Sequence, residues 1–446
     1  MRVLKIGGSI QKDEKDYELI LEKIRKYSNQ ESKTVIVTSA IKNVTNQLLE
    51  AINQTDKAVD IVSDIYDRHI RLLSRLVNGM EFEKAFREIS KLADELYRVA
   101  WSIRVLEEVT PKVKDYILSF GERFAVILLS AYLNTNKLNV GYFTDPPLIT
   151  DENFGEANVL LSESTDYLIK KVEEVNKPIL VVPGFIGISK NHRFTTIGRG
   201  GSDYTATLIG KLLDVDEVRL ITEVPGIMTA DPKKIKDAIT IPHLSLEEAI
   251  ELSQLGAKRL HPRTFDPLFG SNMRVIIEGL YEEGETVIEG TCGQNDLLKG
   301  ITISDDLKLI TIESTRIVGK IGSAATITTE VKNANVNIVA ISQPASETVI
   351  QLVVNNEDAD RLIQRLNQLT FIKDIEVEDV SAISIVGCGL RNKEISSKVI
   401  AKASAYDPVF ISRGLKGVSI TFISNRKESE QLAKDLHEVV LEWSTK

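Results

Sequence analysis

Little in this 446-residue chain marks a metal, disulfide or nucleic-acid protein. It holds two cysteines, Cys292 and Cys388, almost a hundred residues apart. That predicts neither a disulfide framework nor a cysteine-rich metal site. The five histidines are scattered, without the H-x-x-x-H spacing of a metal-binding helix. Basic residues are outnumbered: 55 lysines and arginines against 64 acids leave a net charge of −9 and no basic footprint for nucleic acid. Long apolar runs are scarce as well. "FAVILLSAYL" is too short to span a bilayer, and "MRVLKIGGSI" lacks the apolar stretch of a signal peptide. These absences predict a cytoplasmic protein with no metal site and no membrane or nucleic-acid partner. What is present is ordinary globular material, 43% hydrophobic and 27% charged, enough for about two to four domains.

Apolar periodicity organises the first 280 residues. "RVLKI", a "GGS" turn, the helical "DYELILEKIRKY" and the continuous apolar "KTVIVTSA" read strand, turn, helix, strand. From Lys57 to about Asn134 the pattern is helical, with few breakers apart from Gly79, Pro111 and Gly121. "KLNVGYF", "KPILVVPGFIG" and "DEVRLITEVPGIMT" return as strands, with "STDYLIKKVEEV" as a helix between the first two. This alternation predicts a three-layer α/β/α domain with a mainly parallel central sheet over 1–280. A linker is expected over 281–298. Beyond it a repeat appears: Ile310 and Ile312 match Ile383 and Ile385, and Ile341 and Ser342 match Ile411 and Ser412. Each copy reads β-α-β-β-α. Only the first, 307–380, has a closing strand. The second, 381–446, therefore borrows the spare strand "KGITIS" at 299–304, and the first copy is an insertion in it.

Candidate chemistry gathers at strand ends. In "TTIGRGGSDYTATLIG", Gly198, Gly200 and Gly201 free the backbone for close approach to an anion at the start of an apolar helix. Ser202 and Asp203 are good N-cap types, and Arg199 offers a fork suited to a carboxylate. In "KIGGS", Lys5 ends a strand and Gly7, Gly8 and Ser9 follow. A phosphate could rest there, although a K-x-G-G taken alone reads better as a tight turn with a solvated lysine. Ser39 and Thr45 follow a buried strand, and Glu122 follows Gly121 in a helix. "TEVPGIMTADPKK" is a strand and a turn with two lysines, and "LSQLGAKRLHP" carries Lys258 and His261. There is no G-x-x-x-x-G-K-[ST]. "VGCGLRNKEIS" has Asn392 where a dinucleotide motif needs its third glycine, and reads as a plain strand-to-helix turn.

These stretches resemble the aspartate kinases of the amino-acid kinase superfamily, followed by a tandem pair of ACT domains. "TTIGRGGSDYTA" matches the family signature almost unaltered. "KIGGS", "SFGE", "TDENFGEA", "PGFIG", "VPGIMTADPK", "LSLEEAIELSQLGAKRLHPRT" and "ISQPASE" match further blocks. Departures are Ile6 and Ser9 in the first block, Glu223 where an aspartate is usual, and Met228 where a tyrosine is common. The resemblance implies a carboxyl-accepting phosphotransferase that uses ATP and Mg²⁺ to convert L-aspartate to 4-phospho-L-aspartate. This is the first step towards lysine, threonine and methionine. Alternatives are another small-acid kinase of the superfamily and a catalytically degenerate amino-acid sensor.

By motif position, the resemblance makes Lys5 and Asp203 catalytic. It gives Lys5, Gly7, Gly8, Ser9, Gly200 and Gly201 to phosphate. Ser39, Thr45, Glu122, Arg199, Gly200 and Ser202 fall to aspartate. Thr222, Glu223, Met228, Asp231, Lys233 and Lys258 fall to the nucleotide. In the first ACT repeat the Gly319/Gly322 turn, Asn337, Ser342, Gln343, Ser346 and Glu347 keep effector-site features. The second repeat has Lys416 and Gly417 where Ser346 and Glu347 would fall. Lysine-inhibited relatives tend to carry an aspartate at the position of Val339, so threonine is the expected effector. ACT modules imply a homodimer or homotetramer.

Overall fold

Unbroken β-branched runs between turns become strands. The computed structural model describes residues 1–28, 33–255, 260–293, 297–314 and 322–444. β1 (Arg2–Ile6), α1 (Glu14–Tyr27) and β2 (Thr34–Thr38) open the chain. All of β2 is buried, as in a parallel strand covered on both faces. The helical region forms α2 (Val44–Asn53), α3 (Ala58–Leu76), α4 (Gly79–Leu106) and α5 (Pro111–Thr135). The Thr110 hydroxyl accepts from the Val113 N–H and Pro111 takes the first helical position, which sets where α5 begins. Then come β3 (Val140–Tyr142), β4 (Ile149–Thr150), α6 (Leu161–Val175), β5 (Ile179–Pro183), β6 (Ile186–Ser189), β7 (Phe194–Thr196), α7 (Gly201–Leu212) and β8 (Glu217–Thr222). β9 (His243–Leu244), α8 (Leu246–Leu255), β10 (Arg274–Gly279) and β11 (Glu285–Ile288) follow.

The main sheet runs β3-β5-β2-β1-β8-β10-β11-β9, and the strands from β3 to β10 are mutually parallel. In register, Ile6 faces both Thr38 and Ile221. The carboxyl ends of β1, β2 and β8 therefore lie side by side, where open α/β sheets bind ligands. β4, β6 and β7 make a separate three-stranded sheet. The apolar "FAVILLSAYL" lies within α5. By length and composition that 25-residue helix could cross a membrane, contrary to the expectation from the short run, but 94% of its most apolar window is buried inside the fold.

The chain divides into two units. One comprises Met1–Ile227, Thr240–Leu246 and Arg259–Gly290, the other Met228–Ile239, Glu247–Lys258 and Thr291–Lys446. This division by contacts differs from the expected boundary at 280 and linker at 281–298. β11 pairs antiparallel with β10 and belongs to the first unit. Two short segments from the earlier stretch belong to the second. Ala230 and Ile235 are buried in an apolar cluster with Leu298, Ile301, Ile383 and Leu436. Sequence periodicity cannot show this, because burial there depends on residues far along the chain.

The second unit contains β12 (Gly300–Glu313), α9 (Ser323–Asn333), β13 (Ile338–Ser342), β14 (Val349–Asn355), α10 (Asn356–Leu366), β15 (Asp374–Val386), α11 (Lys393–Ser404), β16 (Phe410–Arg413), β17 (Ser419–Asn425) and α12 (Ser429–Ser444). Its antiparallel sheet runs β13-β14-β12-β15-β17-β16. β12 is irregular between Ser304 and Leu307. Before the irregularity, Gly300–Ser304 pairs with the half of β15 that β17 also pairs; after it, Leu307–Glu313 pairs with β14. Cys388 follows β15 in a plain turn into α11.

The cysteines correct a second expectation. Cys292 and Cys388 form a disulfide that closes a 96-residue separation. A carboxylate oxygen of Glu248 lies with the two sulfurs within a 4.8 Å group, and Glu248 accepts the Cys388 N–H. Two cysteines so far apart carry no pairing signal in sequence; the fold brings them together.

Candidate active site

The site is built where β1 meets α7. Lys5 Nζ lies 2.7 Å from Asp203 Oδ1, and each side chain is only 11% exposed. Asp203 was expected to cap α7, and so was Ser202. Instead Gly200 is the N-cap, in the left-handed region at φ 69°, and no side chain caps the helix. Asp203 sits inside the first turn, and its carboxylate turns to Lys5. Gly200 is required twice over. Its φ disfavours a side chain, and a Cβ there would come 2.5 Å from the His261 Cβ.

The turn after β1 is equally tight. A Cβ on Gly8 would lie 2.3 Å from the Ala40 carbonyl oxygen. Gly7 donates its N–H to Ile221 O at 3.2 Å, so this amide, assigned to phosphate, is engaged within the sheet. Gly8 and Ser9 begin a short 3-10 turn. Gln11 braces the region from below, donating to Gly7 O and Ser39 O at 3.3 and 3.2 Å. Ser39 donates its N–H to Ile6 O. Thr45 lies in the first turn of α2, half-buried, behind Asn43 at φ 68°.

Glu122 enters from α5. Its Oε1 accepts the Ala40 N–H at 3.1 Å, while buried Oε2 has no hydrogen-bond partner. Burial pushes this carboxyl up to about 8, with the Ala40 N–H pulling the other way. Near neutral pH this buried group holds its proton, and a cation placed beside Oε2 would favour its ionised form. Arg199, on the turn before α7, is exposed. Gly201 and Ser202 follow in the helix, and Ser202 packs close against Gly184 of the "PGFIG" block.

The nucleotide candidates are divided. Thr222 ends β8, its carbonyl accepting the Leu280 N–H, and Glu223 follows it. Met228, Asp231 and Lys233 lie in the segment that belongs to the second unit. There Asp231 Oδ1 accepts the Lys233 N–H at 2.9 Å, and Thr229 hydrogen-bonds His437 at 2.9 Å. Lys258 lies outside the described residues, as does Gly319 of the effector turn. Gly322 is the left-handed N-cap of α9 at φ 91°. Asn337 precedes β13, Ser342 ends it, and Gln343, Ser346 and Glu347 occupy the exposed loop to β14. In that loop the hydroxyls of Ser346 and Thr348 are 3.1 Å apart.

One buried carboxylate was missed in the sequence. Asp115 lies seven residues before Glu122, on the same face of α5. Its Oδ2 accepts the N–H groups of Gly155 and Thr196, both at 2.8 Å, and its Oδ1 accepts the Thr196 hydroxyl at 2.9 Å. The heptad spacing was the only signal available.

Known proteins share this architecture. A model of the amino acid kinase family matches residues 1–279, and one of the ACT domain matches residues 310–369. The chain is 28% identical over 469 residues to aspartokinase 2, chloroplastic, of Arabidopsis thaliana, covering 99% of this chain and 84% of that protein. It is 26% identical over 467 residues to the bifunctional aspartokinase/homoserine dehydrogenase of Buchnera aphidicola, where it covers 98% of this chain and 56% of that protein. The crystal structure of E. coli aspartokinase III in complex with aspartate and ADP superposes with a TM-score of 0.82 at 23% identity, covering 99% of this chain and 100% of that one. The same enzyme in complex with lysine and aspartate gives 0.83 at 22% identity, with 99% of each chain covered. The family model spans well over half of the sequence and the whole fold is shared, so the chain belongs to the amino acid kinase family, as an aspartokinase with C-terminal ACT domains.

Proposed function

We propose that the chain transfers the γ-phosphoryl group of Mg-ATP to the β-carboxylate of L-aspartate, giving 4-phospho-L-aspartate. A carboxylate is already nucleophilic, so no general base is needed. The obstacle is bringing one anion up to another, which calls for positioning and charge neutralisation. Lys5 supplies a positive charge for the phosphoryl group in flight, and Asp203 holds its ammonium in place. Arg199 pairs with a substrate carboxylate. Glu122 receives the α-ammonium. Ser39 and Thr45 add hydroxyl contacts, and Thr222, Glu223, Met228, Asp231, Lys233 and Lys258 serve the nucleotide. Magnesium arrives with ATP and is held chiefly by phosphate oxygens.

The observation that carries this reading is the Glu122 carboxyl: buried, with Oε2 lacking a hydrogen-bond partner and with no ion-pair partner among the described residues. An α-ammonium would supply what it lacks. The test is ADP release from Mg-ATP with aspartate, glutamate or no acceptor, with hydroxylamine to trap an acyl phosphate. Turnover with glutamate alone would move the chain to another small-acid kinase. Turnover with neither acid would make it a sensor.

Regulation belongs to the same proposal. Threonine, bound near Gly322, Asn337, Ser342, Gln343, Ser346 and Glu347 of the first ACT repeat, is the favoured inhibitor. Val339 supports this choice, because it packs beside the apolar cluster of Leu307, Leu309 and Val353 and offers a lysine ammonium no partner. The sheet supports assembly. Its edge strands β13 and β16 carry Ile341, 51% exposed, and Ile411, 41% exposed. Exposed apolar edges invite pairing with a second copy, so the active form is a homodimer or larger.

A further inference from the structure

Two segments flank the Arg199 turn. One is the "NFGEA" segment, in which Gly155 and Ala157 lie. The other is β7, which ends at Thr196 and leads directly into Gly198 and Arg199. They are joined to each other by the Ala157 N–H donating to Thr196 O at 3.0 Å. The Gly198 backbone passes against Gly155 and Glu156, whose nearest atoms would be 3.6 Å from a Cβ at that position. Both segments converge on Asp115, whose side chain is fully buried. One carboxylate thus takes three donors from two segments, Gly155 N–H, Thr196 N–H and the Thr196 hydroxyl.

The cost of burying this group shows what it contributes. Desolvation raises the Asp115 carboxyl above its usual range, and the three hydrogen bonds offset this only in part. A salt-bridge partner is absent among the described residues, so the group acts through directed acceptor oxygens. Further along α5 by about 10 Å, at 1.5 Å per residue, Glu122 holds the Ala40 amide in the same manner. A single helix therefore holds, through two inward carboxylates, the turn after β2 and the end of β7 that leads into the turn before α7.

From this geometry we infer that Asp115 is a positioning residue of the phosphoryl-transfer site: it anchors the "NFGEA" loop and β7 to α5 and so sets where Arg199 meets the amino-acid acceptor. It touches no substrate. Its effect falls mainly on the acceptor side, since β7 leads directly into Arg199; Gly200 and Gly201 of the same turn serve the transferred phosphoryl group, while Thr222 and Glu223 lie on a different strand end. This inference deepens the aspartate kinase reading, and its kinetic consequences rest on that reading.

The experiment uses the full chain and two variants. Asp115→Ala removes all three acceptor contacts. Asp115→Asn keeps the shape; its amide oxygen can accept both N–H groups, and its NH₂ can donate to the Thr196 hydroxyl. Hydrogen–deuterium exchange by mass spectrometry is read on peptides covering 151–160 and 193–201. In Asp115→Ala these peptides lose protection while peptides from β1, β2 and β8 keep theirs, and Asp115→Asn restores it. In the aspartate assay, kcat/KM for the acceptor falls by about tenfold or more in Asp115→Ala, carried mainly by KM, with KM for Mg-ATP changed less than about twofold. Asp115→Asn recovers most of that loss. Unchanged exchange in Asp115→Ala overturns the inference. So does a lower thermal midpoint with kcat/KM intact, which would mean a purely structural group, or an Asp115→Asn variant as impaired as Asp115→Ala, which would mean a role for charge. If the wild-type chain does not phosphorylate aspartate, the activity reading fails, and the exchange measurement still decides the anchor.

Discussion

Lys5, at the end of the first strand, and Asp203, in the first turn of α7, form a largely buried ion pair of 2.7 Å. The pair holds the lysine ammonium at the carboxyl edge of the sheet, beside the glycine turn. Asp203 thereby sets where that charge stands. The turnover of Lys5→Ala should fall by about a hundredfold or more, the cost of losing one preorganised charge contact in a dry site, with small changes in either KM. Asp203→Asn should lose less. The double variant should be no worse than Lys5→Ala, because the two residues act as a unit. Steady-state kinetics on the three variants checks this; near-normal turnover of Lys5→Ala would remove it from catalysis.

Glu122 makes stability depend on pH. Its carboxyl is raised from 4.5 to about 8 in the fold, so between those values the native state holds a proton that the unfolded chain has released. Stability therefore falls as pH rises through that window. Glu122→Gln should flatten this dependence and raise the thermal midpoint at pH ~8 relative to wild type, as scanning calorimetry across the window would show. The same variant should raise KM for aspartate. If only KM for ATP moved, the acceptor and nucleotide assignments would be exchanged.

The Cys292–Cys388 disulfide should support the second unit. Closing a loop of about a hundred residues stabilises by about 4.7 kcal/mol on chain-entropy grounds. Reductant, or Cys388→Ser, should lower the melting transition of that unit. Thiol titration of the unfolded, unreduced protein should find no free thiol; two would show that the bond does not form.

Effector choice is tested by titrating threonine and lysine separately against kinase activity. Threonine should inhibit, and Gln343→Ala should weaken that inhibition by about tenfold, the loss of one or two hydrogen bonds. Inhibition by lysine alone would reverse the assignment.

Assembly through the sheet edges gives a further outcome. Light scattering at micromolar concentration should find a dimer or larger, and Ile341→Lys should shift it towards monomer, since a charge on an edge strand opposes pairing. A monomeric wild type would exclude this mode.

Much of the architecture was legible along the chain, because its signals are local. Period-two and period-3.6 apolar patterns mark the strands and helices, and the glycine turns after β1 and before α7 are visible as residue types at strand ends. The internal repeat points to a borrowed strand, since a missing edge is a matter of counting elements. What the chain order could not settle was which distant groups meet. Asp203 and Ser202 looked like caps because capping is the local use of such residues; only the approach of β1 gave Asp203 a lysine. Asp115 carried no sequence signal beyond its spacing from Glu122; only the burial of α5 gave the two carboxylates backbone donors from separate loops. Ala230 and Ile235 seemed to continue the kinase domain, and the cysteines seemed unrelated. Each of these outcomes depends on burial and on hydrogen-bond or covalent partners from remote segments, and those are set by tertiary packing rather than by neighbours in sequence.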